Sequence, residues 1–249
     1  MDESDCAPVV LVTGAARRVG AAIARRLHED GARVCVHYRG SAEEARRLVA
    51  DLERARSGSA HCVAADLSDV GAIGRLVADC VARFGRLDGL VNNASSFFAT
   101  PVGATGPEAW DDLVGSNLRA PFFLCQAAAA ELKERRGAIV NIVDIHAERP
   151  LEGYPVYSIA KAGMAGLTRA MAVELGPEVR VNGVSPGAIM WPDDGQFVPD
   201  ERARIIATSL LKRIGSPRDI ADVVAFLLFH APYVTGQILA VDGGRSAYL

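Results

Sequence analysis

The 249-residue sequence has no apolar run of the roughly 18 residues needed to span a bilayer. It has no basic block suited to a nucleic-acid backbone and no acidic tail, and its formal net charge is only −3. The opening residues, MDESDCAPVV, are acidic and so unlike a secretory or mitochondrial leader. Five cysteines (Cys6, Cys35, Cys62, Cys80 and Cys125) form no CxxC pair, and the histidines show no metal-ligand spacing. An odd number of thiols in mostly apolar surroundings reads as reduced side chains of a cytoplasmic protein. No linker, repeat or low-complexity tract divides the chain. The expectation is one domain over residues 1–249 that binds neither membrane nor nucleic acid, with small molecules or proteins as its partners.

Half of the composition is hydrophobic, enough for a substantial core. Apolar runs at 9–14, 32–38, 60–67, 86–94, 137–144, 179–186 and 237–244 read as strands, separated by helical patterns. Strands that are apolar throughout are buried on both faces, which predicts a doubly wound α/β fold with a parallel sheet of about seven strands. Ser41 and Glu44 have capping-box spacing, and Ser216 before Pro217 reads as an N-cap. The 237–244 run is expected to close the chain. Residues 188–212, which begin with the Pro-, Asp- and Gly-rich AIMWPDDGQFVPD, are expected to form a substrate flap beyond a strand end. Trp191 lies in that stretch.

The first strand runs into TGAARRVG (13–20). Gly14 permits a tight turn, and Gly20 permits close helix packing with the helix N-terminus towards a phosphate. A dinucleotide site is expected. NAD sites usually place an acid at the end of strand two, whereas this chain has Tyr38 after His37. Arg17, Arg39 and Ser41 are available to surround a 2′-phosphate, although arginines there can also simply solvate a surface. NADPH is therefore expected. Asp66 and Leu67 follow strand three; Asp66 either bonds the adenine amino group or caps a helix.

Tyr157 and Lys161 share a helical face. An ammonium near a phenol favours the phenolate, so the pair predicts proton transfer near neutral pH. Asp144 lies thirteen residues before the tyrosine, at the end of an apolar run. His146, two residues on, either joins the site or ends the strand.

The ordered set TGAARRVG, NNA (92–94), Asn117, YSIAK and SPG (185–187) resembles the short-chain dehydrogenase/reductase family over essentially the whole length. The resemblance implies a Rossmann-type fold, a nicotinamide cofactor and a homotetramer. It casts Tyr157 as proton donor or acceptor, Lys161 as its partner and a ribose ligand, and Asn117 as support for a relay water. Asn93 and Ala94 would line the cofactor cleft, and Pro186 with Gly187 would flank the nicotinamide. Two departures narrow it: Asp144 replaces the usual serine, and Arg18 replaces the middle glycine of the first turn. Together with NNASSFF and GSNLRAPFF, these resemble the pteridine reductase subgroup. That subgroup implies Arg18 on pyrophosphate and pterin, Ser95 on cofactor or pterin, and Phe97 stacked on the flat heterocycle, with Asp144, Tyr157 and Lys161 completing the site. Phe97 can equally be ordinary core. Pterins are reduced at C=N bonds, so protons must reach ring nitrogens, for which a carboxyl is better suited than a serine hydroxyl. The implied activity is reduction of a dihydropterin or dihydrofolate. The alternatives are a carbonyl reductase acting on ketoacyl, sugar or quinone-like substrates, and a cofactor sensor without turnover.

Overall fold

The structure, a computed structural model, describes residues 7–191 and 197–248. Among the described residues there are seven strands: β1 (Val9–Val12), β2 (Arg33–Tyr38), β3 (Ala60–Ala64), β4 (Gly89–Asn92), β5 (Ala138–Ile142), β6 (Arg180–Pro186) and β7 (Ile238–Val241). The helices are α1 (Arg18–Glu29), α2 (Ala42–Ala55), α3 (Val70–Phe84), α4 (Pro107–Val114), α5 (Ala120–Arg135), α6 (Pro155–Leu175), α7 (Pro199–Thr208), α8 (Pro217–Ala225) and α9 (Arg245–Tyr248). The strands form one sheet in the order β3-β2-β1-β4-β5-β6-β7, with every pairing parallel. This is the Rossmann-type arrangement that the unbroken apolar strands predict. The order reverses between β1 and β4, and a crevice opens there beyond the strand carboxyl ends.

The period-two alternation of the central strands divides the core. Val10, Val12, Val34 and Val36 pack with Ile23 and Leu27 of α1, Leu48 of α2 and Val224 of α8. Val9, Leu11 and Cys35 point the other way, onto Ile73 and Leu76 of α3 and Leu124 of α5. Each such side chain is withdrawn from water at about 1.5–3 kcal/mol, which rigidly fixes the strand ends that carry the site.

Several local expectations change. Ser41 precedes α2 but makes no side-chain cap bond. The Glu44 carboxylate lies instead 3.8 Å from the Arg17 guanidinium. The Ser216 cap forms as expected, with its hydroxyl accepting from the Asp219 amide at 3.3 Å. β7, expected to close the chain, is followed by the short α9. Within 188–212 the expected flap contains the ten-residue helix α7, and residues 192–196 lie outside the described residues, as does Cys6. Among the described residues no helix is long and apolar enough to cross a membrane, and no cluster of His, Cys, Asp or Glu is placed to hold a metal.

Candidate active site

The crevice is a cleft of about 1150 Å³ that runs from Arg39 and Ser41 at one end to Tyr157 and Lys161 at the other. Its floor is built where β1 meets β4. The Thr13 hydroxyl accepts from the amides of Asn93 (2.9 Å) and Ala94 (3.0 Å). The Asn93 side-chain amide donates back to the carbonyls of Thr13 (2.8 Å) and Gly14 (3.2 Å). Gly14 has φ +60°, and a Cβ there would lie 2.9 Å from the Ala94 Cα. A Cβ on Gly20 would come within 2.3 Å of the Gly14 carbonyl oxygen. Both glycines are therefore required for the turn that brings the N-terminus of α1 to the cleft. The length of the cleft and this close-approach turn suit a dinucleotide.

At the outer end, Tyr38, Arg39, Ser41, Asp66 and Leu67 share the wall with Arg17. Asp66 does not cap α3; its Oδ1 accepts from the Ser68 amide at 2.9 Å, while Asp69 caps the helix by accepting from the Gly71 amide at 2.8 Å. The hydrogen bonds from Ser68 hold the Asp66 carboxyl below its usual range. Asp66 is exposed beside the pocket, so it remains available to an adenine amino group. Ser95 and Pro186 reach the wall further in. The Gly187 amide is committed to the Val241 carbonyl at 3.1 Å, which ties the end of β6 to β7.

At the inner end β5 delivers Asp144, and α6 delivers Tyr157 and Lys161 one turn apart. Asp144 is half-buried and uses both oxygens. Oδ1 accepts from the His146 amide at 2.9 Å, which caps the short 3₁₀ turn Ile145–Ala147. Oδ2 accepts from the Tyr157 hydroxyl at 2.7 Å. Lys161, 3% exposed, donates from Nζ to the Ile142 carbonyl at 2.9 Å. Its ammonium stands 5.6 Å from the centre of the Tyr157 ring.

The protonation pattern differs from the expectation. Burial, and then the charge and hydrogen bond of Asp144, push the Tyr157 phenol well above its usual range rather than below it. Burial brings Lys161 down to about 8, against an upward pull from Asp144. The sequence shows that charges are neighbours; it does not show how dry the neighbourhood is, nor that the nearer charge on the phenol is the carboxylate. His146 takes no part, because its Nδ1 lies against the Arg149 carbonyl at 2.9 Å.

Asn117 sits in a π-helical segment, Gly115–Arg119, that joins α4 to α5. Such wide turns recur at functional sites. Its side-chain amide donates to the carbonyls of Ser96 (2.9 Å) and Leu113 (3.0 Å). Its Oδ1 is buried and accepts no hydrogen bond from the described residues. A buried acceptor of that kind calls for a partner, and a bound water would satisfy it.

Phe97 is partly buried; it packs against the Leu113, Val156 and Tyr157 cluster and also lines the cleft. Its ring stacks on Tyr154 (centroids 4.7 Å apart, planes 8° apart) and meets Tyr157 edge-on at 4.8 Å. Arg18 holds the left-handed conformation at φ +54° in the position where the family usually has glycine. Its guanidinium donates to the Trp191 carbonyl at 3.1 Å, which joins the first turn to the 188–212 stretch. The Trp191 ring lies against Phe197 (5.8 Å) and under the Arg202 guanidinium (5.3 Å).

Thr13, His37 and Tyr154 also build the cleft and were not among the residues expected from sequence. The threonine and the histidine carried a signal, as polar side chains at the carboxyl ends of otherwise apolar strands; Tyr154 carried none beyond its spacing from Tyr157.

Residues 14–246 match the family described as enoyl-(acyl carrier protein) reductase. Pteridine reductase 1 of Leishmania tarentolae is 42% identical, with 99% of each chain covered. A putative ketoacyl reductase of granaticin polyketide synthase from Streptomyces violaceoruber is 37% identical, with 96% of each chain covered. The 3-oxoacyl-(acyl-carrier-protein) reductase of Staphylococcus aureus is 36% identical over 94% of this chain and 96% of its own. With the Tyr157–Lys161 pair, the glycine turn and the parallel seven-stranded sheet, these matches make the chain a member of the short-chain dehydrogenase/reductase family, oxidoreductases that use a nicotinamide cofactor.

Proposed function

We propose that this protein is an NADPH-dependent pteridine reductase acting at a C=N bond of a dihydropterin or dihydrofolate. The observation that carries the reading is the 2.7 Å hydrogen bond from Tyr157 to Asp144, a carboxylate where the family usually has serine. The bound reduced nicotinamide would supply the hydride. Everything else falls to the chain. Tyr157 keeps its proton until a ring nitrogen becomes basic enough to take it. Lys161 then stabilises the phenolate left behind, because its ammonium lies over the same ring. Asp144 orients the phenol and accepts from N–H groups on the heterocycle edge, which a carboxylate does better than a hydroxyl. Phe97, backed by Tyr154, offers a flat face to a flat ligand.

In the cofactor part of the reading, Arg17, Arg39 and Ser41 surround the 2′-phosphate. Asp66, Leu67, Tyr38, Asn93, Ala94, Ser95 and Pro186 line the dinucleotide path, and Arg18 reaches the pyrophosphate and the pterin. Residues 188–212 serve as the flap. The proposal extends to assembly: exposed Phe122, Ile159 and Val173 on α5 and α6, with Phe226, Tyr233 and Leu239 around β7, are surfaces for further copies in a homotetramer.

The ketoacyl reductases among the relatives give the second reading, which shares Tyr157 and Lys161. The deciding experiment measures cofactor oxidation with dihydrobiopterin, dihydrofolate and a ketoacyl thioester, each with NADPH and NADH. Turnover of the dihydropterins with NADPH is expected. Preference for the thioester would replace the proposal with the second reading, and equal rates with NADH would remove its NADPH part. No turnover on any substrate would point to a sensor.

A further inference from the structure

The phosphate-facing turn is held by a residue to which the activity assigns no role. His37, near the end of β2, is 2% exposed and lies beneath Gly14 and Ala15. The Gly14 amide donates to its Nδ1 at 3.0 Å. The Ala15 amide donates to its backbone carbonyl at 2.9 Å. Its Nε2 faces the Ala65 carbonyl at 3.1 Å, beyond the end of β3. An amide can only donate and a carbonyl can only accept, so the ring must be neutral with its hydrogen on Nε2. One residue thus takes two consecutive amides of the turn and braces them against β3.

We propose that His37 is a positioning residue for the dinucleotide: its Nδ1 lone pair fixes the Gly14 amide, and with it the direction in which the N-terminus of α1 presents its amides to the pyrophosphate. Without this anchor the Gly14 amide, at φ +60°, loses its side-chain acceptor; the Asn93 bond to the Gly14 carbonyl and the bond from the Ala15 amide to the His37 carbonyl remain, so the turn loosens at that one amide. Protonation would set two N–H donors against each other and loosen the turn in the same way. The charged groups sharing this wall are Asp66 after β3, Arg39 after β2, and Arg17 and Arg18 in and beside the turn. Burial holds the histidine below its usual range, outweighing the upward pulls of the hydrogen bond to the Ala65 carbonyl and of the Asp66 charge. The inference rests on the dinucleotide site and is independent of what the enzyme reduces.

The test has two arms. In the first, nitrogen-15 NMR of the cofactor-free wild type at neutral pH should show a neutral His37 ring with hydrogen on Nε2. A ring protonated at Nδ1 would overturn the proposal. In the second, NADPH dissociation constants are measured by titration for wild type, His37→Leu and His37→Asn. Asparagine places an acceptor oxygen close to the position of Nδ1; leucine places none. His37→Leu should bind about tenfold more weakly, the cost of leaving a buried amide unpaired. Wild type is expected to bind NADPH more weakly on acidification as the ring takes up its second proton, whereas His37→Asn should remain within about threefold of wild type at neutral pH and lack that acid weakening. Equal losses in both variants, or no loss in a folded His37→Leu, would overturn it. If wild type itself fails to bind NADPH or NADH, the cofactor reading falls instead, while the NMR arm still reports on the ring.

Discussion

Replacing Asp144 by Ser restores the residue that the family usually carries, and it tests the substrate assignment directly. The carboxylate does two separable things. Oδ1 caps the turn at Ile145–Ala147, and serine is about as good a cap as aspartate, so this function should survive. Oδ2 holds the buried Tyr157 hydroxyl at 2.7 Å, and the shorter serine side chain gives up that bond. A hydrogen bond to a charged group contributes about 1.5–3 kcal/mol, or about 10- to 150-fold in rate if it acts in the transition state. Loss of a properly poised proton donor adds to this, since general acid catalysis contributes about 10²–10⁴-fold. The expected result is a fall of at least about 10²-fold in kcat/KM for a dihydropterin, with the NADPH dissociation constant within about twofold of wild type. Fold stability should drop by about 1 kcal/mol for the unpaired hydroxyl, or about 2–4 °C in Tm. The assay is the decay of reduced-nicotinamide absorbance under saturating cofactor, with direct cofactor titration alongside. A variant that reduces the dihydropterin within threefold of wild type would refute the role given to Asp144.

Further outcomes are expected at Arg18, Arg39 and Lys161. Arg18→Gly removes a left-handed non-glycine residue worth about 1 kcal/mol of strain, so thermal melting should show equal or higher Tm while kcat/KM falls; a lower Tm would contradict the strain argument. Arg39→Ala should weaken NADPH by about tenfold through loss of a charge-assisted phosphate contact and leave NADH nearly unchanged, as read by parallel titrations; equal effects on both cofactors would remove Arg39 from the phosphate site. With Lys161 at about 8, kcat/KM should decline above that pH as the ammonium that stabilises the phenolate is lost. Asp144→Asn removes the upward pull on Lys161, so in that variant the decline should move to lower pH, and an upward move would contradict the assignment. For stability the sign is opposite: between about 8 and 10.5 the unfolded chain binds more protons at this lysine, so its contribution to stability rises with pH across that window.

The sheet was legible because parallel strands covered on both faces must be apolar throughout, and VVLV and AIVNI satisfy that almost residue by residue. Tyr157 and Lys161 were legible because helical spacing fixes their shared face. Capping was less so. Asp66 and Asp69 stand three residues apart, either could have capped α3, and the path of the loop decides between them. Ser41 and Glu44 have the spacing of a capping box, yet Glu44 is drawn towards Arg17 from a different element. His37 stood out as a polar side chain in an apolar strand, but what it bonds was not legible: its partners, Gly14 and Ala65, are backbone atoms 23 and 28 residues away. Spacing within one element carries through to the structure, whereas contacts between elements wait for the topology.

The stacked pair of Phe97 and Tyr154 has an entropic consequence. A loop phenylalanine that becomes ordered only when its ligand arrives gives up rotamer freedom, at a cost of about 0.5–1.5 kcal/mol of affinity. Here the ring is packed beforehand, stacked on Tyr154 and nearly perpendicular to Tyr157, so a flat heterocycle meets a side chain that is already placed. Tyr154 touches no bond that is made or broken. Its substitution by a small residue should therefore weaken ligand binding chiefly by letting Phe97 move.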